Sequence, residues 1–140
     1  MKGRSLAILG LVIVILAIAS AMASRMVSGT VFGLGPTGNA PPGVRIRVQV
    51  LNATTTRGLA RRATDLLRER GFDVVEVGTS RERSDSTVVL DRSNHPDWAR
   101  RVAVALGGAQ VLARPDTSRY LDITVLLGAT WRPPAQPFHP

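Results

Sequence analysis

The only imidazoles in this 140-residue chain are His95, in Ser-Asn-His-Pro-Asp-Trp, and His139, near the carboxyl end. Ser93, His95 and Asp97 supply a nucleophile, a base and a carboxylate at close spacing. Covalent catalysis needs such groups linked in space. A simpler use exists: the segment makes a turn, and Asp97 accepts the free N–H groups of a helix that begins there. No catalytic residue is assigned. With no cysteine, the chain has no thiolate ligand, thiol nucleophile or disulfide. Two histidines, one in a Pro-rich end, make no metal site. No Walker-type glycine motif occurs, and no cofactor is expected.

Anion binding has better candidates. Asn52-Ala53-Thr54-Thr55-Thr56-Arg57-Gly58 leads into a helix N-terminus, where unpaired N–H groups favour negative charge. The hydroxyls of Thr54, Thr55 and Thr56 and the Arg57 guanidinium strengthen that. The bland use of the same residues is a turn: Asn52 ends a strand and Gly58 loosens the backbone. A second candidate is a sheet face carrying Arg45, Arg47 and Gln49, with Asp122 and Thr124 if the first and last strands pair. Such a face suits an anionic glycan or phosphodiester polymer; its alternative is an ordinary solvated face. Arg61, Arg62, Arg68, Arg100 and Arg101 read as solvated helix faces.

These residues need elements to hold them. Val44, Ile46, Val48 and Val50 alternate with Arg45, Arg47 and Gln49, a half-buried strand. Leu59 to Arg70 is a helix with Leu59, Ala60, Ala63, Leu66 and Leu67 on one arc and Gly71 as its stop. Thr54, Thr55 and Thr56 are its N-cap candidates. Strands come next at Phe72–Val77 and Thr87–Asp91, then a second helix at Trp98–Leu106, a short strand at Ala109–Ala113, and an alternating strand at Tyr120–Leu127. Both helices contain Ala-Arg-Arg, which suggests a duplicated strand-helix-strand half; chance convergence gives the same similarity. The expected fold is α+β: a split β-α-β two-layer sandwich, both helices on one face of the sheet and the other face open.

Residues 1–25 have another character. Ser5 to Ser24 is 20 residues without a charge, apolar on every side, enough for a helix of about 30 Å. Lys2 and Arg4 precede it, which places the N-terminus in the cytoplasm and the rest outside. Ala19-Ser20-Ala21 and Ala21-Met22-Ala23 also fit a signal cleavage site. Whether the segment is retained or cleaved, the carboxyl-terminal part of the chain is exported. Residues 26–43, rich in Gly and Pro, read as a flexible linker, 44–130 as the domain, and 131–140 as a Pro-rich disordered tail.

The run from Val44 to Val77, with Asn52, Gly58-Leu59-Ala60, Gly71-Phe72 and Val74, together with the closing Asp122–Gly128, resembles the LytR C-terminal domain. In that family the domain often sits behind a LytR–CpsA–Psr catalytic module, similar to enzymes that attach phosphate-linked glycopolymers to the cell wall. Residues 26–43 are too few to be that module, so its activity is not carried over. The sequence departs from the pattern at Thr130, where an acidic residue often succeeds the closing glycine, and at Arg57 within the loop.

The resemblance implies a membrane-anchored, extracytoplasmic, non-enzymatic domain of the bacterial envelope. The formal net charge is +8, and without Lys2, Arg4 and Arg25 the rest keeps 15 basic and 10 acidic residues. The expected partner is an anionic cell-wall glycopolymer or peptidoglycan, met through Arg45, Arg47, Gln49 and the Asn52–Gly58 loop. The alternative is a protein-interaction module docking on a membrane-bound wall-assembly enzyme. Nucleic acid is not expected: aromatics are 4%, and the sheet positions that would stack bases carry Arg and Gln.

Overall fold

The computed structural model describes residues 37–117 and 120–134. The expected membrane-spanning segment and most of the linker and tail lie outside those residues. No helix among the described residues is long and apolar enough to cross a membrane. The elements are β1 (Arg47–Asn52), α1 (Leu59–Glu69), β2 (Asp73–Thr79), β3 (Val88–Asp91), α2 (Pro96–Ala105), β4 (Gln110–Ala113) and β5 (Ile123–Leu127).

The sheet order is β2-β1-β5-β3-β4. β1 pairs in parallel with β2 and with β5, β3 in parallel with β4, and β3 antiparallel with β5. The mixed α+β class agrees with the sequence, but the split arrangement does not form. In each β-α-β unit the two strands are direct neighbours, and β5 lies between the units rather than inside one. The physical reason is that side-chain alternation says which face a residue takes, not which strand lies beside it. Burial carries the missing information. β5 reads Ile-Thr-Val-Leu-Leu and is nearly all buried, as a central strand must be, whereas β2 and β4 are largely exposed edges.

Both helices pack on the same face of the sheet, as right-handed crossovers in the two units require. One apolar cluster accordingly joins Val48, Val50, Val74, Val89, Ile123, Val125 and Leu127 of the sheet to Leu59, Ala63, Leu67, Ala99 and Val102 of the helices. Both helices also end alike. Gly71 N donates to Arg68 O and Phe72 N to Leu67 O; Gly107 N donates to Val104 O and Gly108 N to Ala103 O. This paired closure satisfies the last carbonyls with a glycine in the left-handed region, Gly71 at φ 85° and Gly107 at φ 89°. The shared ending matches the internal resemblance seen in the sequence.

Two ends of the domain are tied down. Of the linker, Thr37–Gly43 is described, and part of it docks across both helix C-termini. Ala40 N donates to Arg70 O at 2.9 Å, and Arg101 Nη1 reaches Thr37 Oγ1 at 3.1 Å and Asn39 O at 3.2 Å. At the other end Trp131, placed in the tail by its Pro-rich neighbours, is buried, and its indole N–H donates to Leu106 O at 3.0 Å. Gly128 makes that ending possible: a Cβ there would lie 2.2 Å from the Ser86 carbonyl carbon. The backbones of 84–86 and 128–130 run in contact, with Ala129 N donating to Ser84 O and Thr130 N to Asp85 O.

Candidate functional site

On the open sheet face the expected cations are present but paired. Arg45 lies 2.6 Å from an Asp73 carboxylate oxygen. The Arg47 guanidinium donates to both Asp122 oxygens, at 3.1 and 3.2 Å, and the Arg47 backbone N–H adds a third bond at 2.8 Å. Burial pushes the Asp122 carboxyl up, but the Arg47 hydrogen bonds and charge outweigh this and hold it below its ordinary value. The same hydrogen bonds raise the Arg47 pKa. Thr124 Oγ1 donates to Gln49 Oε1 at 3.1 Å. Two cations therefore meet two carboxylates, and the exposed Glu76 lies beside Gln49 in the register, so the end of the face bearing Arg45, Arg47, Gln49 and Thr124 carries no excess of positive charge.

The register continues this face away from the ion pairs. Gln49 and Leu51 of β1 lie beside Thr124 and Leu126 of β5, which lie beside Leu90 and Val88 of β3. Leu112 of β4 pairs with Leu90. Leu51, Leu126, Val88 and Leu90 are half-buried and Leu112 is exposed, so an aliphatic strip crosses four strands with no helix over it.

The Asn52–Gly58 loop divides in two. Asn52 Oδ1 accepts from Thr54 N at 3.0 Å and from Thr54 Oγ1 at 2.8 Å, its amide donates to Thr56 O at 2.8 Å, and Thr54 Oγ1 accepts from Thr56 N. Asn52 and Thr54 thus build the turn, as their types allow. Thr55, Thr56, Arg57 and Gly58 are exposed. None of the threonines caps α1: Gly58, with φ 79°, takes the N-cap position and no side chain bonds there.

Beside this loop is a cleft of about 340 Å³ lined by Thr56, Arg57, Leu59, Arg62, Ala129, Trp131, Arg132 and Pro133. Three guanidinium-bearing residues come from three places: the loop, the first turn of α1 and the segment after β5. No acidic residue lines it. Of the sequence candidates only Thr56 and Arg57 fall here; Arg45, Arg47 and Gln49 are on the sheet. By sequence alone Arg62 reads as a solvated helix face and Arg132 as part of the tail. The available signal was Trp131, a large aromatic side chain in a Pro-rich end that calls for a buried place and so fixes its neighbour.

The Ser93–His95–Asp97 segment serves the start of α2. His95 stacks on Trp98 with ring centroids 3.8 Å apart, and its Nδ1 lies 3.1 Å from Ser93 Oγ. The turn is held by Asp91, whose Oδ1 accepts from Ser93 N and His95 N, each at 3.1 Å. Asp97 makes no capping hydrogen bond, contrary to the expectation; it sits in the first turn, where its charge favours the helix start. Among the described residues no group of acidic, histidine or cysteine side chains is arranged to hold a metal.

A small two-layer domain with an arginine-lined rim and an uncovered sheet face is a shape for contact. The family model described as LytR cell envelope-related transcriptional attenuator matches residues 45–131, more than half of the chain. The chain belongs to this family, the LytR C-terminal domain family, and the resemblance drawn from Asn52, Gly58-Leu59-Ala60 and Gly71-Phe72 is correct. Among solved structures, the chain is similar to the solution structure of the C-terminal domain of RV0431. The identity is 29%, over 71% of this chain and 86% of that one, with a TM-score of 0.43. No curated protein matches it.

Proposed function

We propose that this chain is a non-catalytic accessory protein of the bacterial cell envelope whose domain binds an anionic cell-wall polymer or peptidoglycan. The observation that carries this is the distribution of charge. Three ion pairs occur among the described residues, on Arg45, Arg47 and Arg92. The other described arginines make none, and Arg57, Arg61, Arg62 and Arg100 are exposed on the loop and helices. Exposed cations held in no ion pair attract polyanions. The binding surface is the rim formed by Arg57 and the helices, and the sheet-face arginines contribute little to it.

In this proposal residues 1–25 anchor the chain, with the N-terminus in the cytoplasm and the domain outside. A reporter enzyme fused after Pro140 is expected to be active only outside the membrane; cytosolic activity rejects the placement. For binding, the full chain is incubated with isolated wall material at low and high salt. Retention at low salt that falls as salt rises supports the function, since added ions screen exposed charges. No retention at low salt rejects it.

The aliphatic strip of Leu51, Leu126, Val88, Leu90 and Leu112 favours a second reading, docking on a membrane-bound wall-assembly enzyme. Its edge strands β2 and β4 are open to an added strand. Crosslinked protein adducts that survive high salt support this reading, because apolar contact is not screened. Adducts that disappear with salt count against it.

A further inference from the structure

We infer that the cleft lined by Arg57, Arg62 and Arg132 is a binding site for the phosphate group of a phosphodiester. The inference rests on the envelope-accessory proposal for its setting and adds a place and a ligand chemistry. A phosphodiester of this kind occurs both in phosphate-bearing wall polymers and in anionic lipid headgroups, and the cleft recognises the chemistry the two share.

The cleft differs from the rest of the basic surface in three ways. Its cations converge from separate parts of the chain, so they arise from the fold and not from one helix face. They face no acid: neither an aspartate nor a glutamate lines the cleft, and Arg57, Arg62 and Arg132 make no ion pair among the described residues. One of them is held in place: Arg132 Nη1 donates to Ala129 O at 2.8 Å and Trp131 O at 3.0 Å, leaving its other N–H groups to a ligand. A guanidinium fixed in advance loses less freedom on binding.

Phosphate suits three guanidinium groups better than a carboxylate does. A carboxylate offers two oxygens and is satisfied by one planar fork, whereas a phosphate presents oxygens in several directions. Leu59, Trp131 and Pro133 complete the lining with apolar surface that can receive the carbon linkers on either side of a phosphodiester. The volume, about 340 Å³, is at the small end of ligand sites and fits one repeating unit more naturally than a folded oligomer.

The test is calorimetric titration of the full chain at low ionic strength with poly(glycerol phosphate), with a water-soluble short-chain phosphatidylglycerol, and with polyglutamate. Arg62→Gln and Arg132→Gln are each expected to weaken phosphodiester binding about tenfold, the loss of a charge-assisted hydrogen bond. Arg61→Gln and Arg100→Gln remove the same charge outside the cleft and are expected to cost less than about twofold. Arg62 makes no side-chain hydrogen bond or ion pair among the described residues, so Arg62→Gln reads the site even if Arg132→Gln loosens its loop. Cleft-dependent binding of the polymer, the lipid or both supports the inference, and the tighter of the two names the source. Equal losses in Arg61→Gln and Arg62→Gln overturn the cleft while leaving wall binding intact. Polyglutamate binding as tightly as the phosphodiesters, with the same losses, overturns the phosphate assignment. Failure of the unaltered chain to bind any polyanion or wall material overturns the envelope-binding proposal itself.

Discussion

The open face of the sheet and the rim beside α1 carry the same residue type to opposite ends. On the sheet, Arg45 and Arg47 are matched by Asp73 and Asp122. At the rim, Arg57, Arg62 and Arg132 surround a cleft without an acid. The sheet pairs arise because β1 lies between β2 and β5, whose first residues or flanks supply a carboxylate beside each arginine. The rim arginines come from a loop, a helix and the segment after β5, and they make no ion pair among the described residues. An arginine is therefore a poor guide to an anion site until its neighbours across the fold are known.

The largest expected effect comes from removing the support of the rim. Trp131→Ala deletes a buried indole that joins the segment after β5 to the end of α2, and should cost about 3–5 kcal/mol in chemical denaturation. Polymer binding should fall with it even where the protein remains folded, because Arg132 loses its anchor. If binding is unchanged in the folded fraction, Arg132 does not depend on Trp131 and the rim is not a built site.

Next is Asp122→Ala, which breaks the balance on the sheet. It leaves the Arg47 backbone N–H without its acceptor, at a cost of about 1–3 kcal/mol. It also frees the Arg47 guanidinium, so retention on wall material at low salt should rise slightly above that of the unaltered chain. Asp122 further predicts a pH dependence. Its pKa is lowered in the folded state, so its contribution is complete above the unfolded value, about 4, and is lost as pH falls through the folded one. Denaturant midpoints should decline on acidification below about pH 4 more steeply in the unaltered chain than in Asp122→Ala.

Two smaller effects separate turn from site. Asn52→Ala removes the bonds that shape the loop and should cost about 1 kcal/mol, with a modest loss of polymer affinity through Arg57. Arg45→Gln breaks a largely exposed pair and should change stability by less than about 0.5 kcal/mol, leaving binding intact. A clear loss of binding in Arg45→Gln would return the sheet face to the site.

Much of this was legible before the fold. The alternation marks Ile46, Val48 and Val50 as buried, although Val44, ahead of β1, is exposed; the Leu59–Leu67 arc marks α1, and Gly71 marks its end. The features that escaped depend on contacts distant in the chain. Arg47 and Asp122 are separated by 75 positions and meet only because β5 enters beside β1. Nothing local to Arg47 reveals its partner, so the sheet face read as basic when it is paired. Trp131 is hidden for the opposite reason: its neighbours are prolines, and local composition masks the burial that a large aromatic side chain calls for.

The central claim is that anion binding belongs to the rim and not to the sheet. It is tested by retention of the full chain on isolated wall material, comparing Arg57→Gln/Arg62→Gln/Arg132→Gln with Arg45→Gln/Arg47→Gln across a salt series. The account predicts that the rim variant loses retention at low salt and flattens the salt dependence, while the sheet variant keeps both. Retention lost in the sheet variant and kept in the rim variant contradicts it.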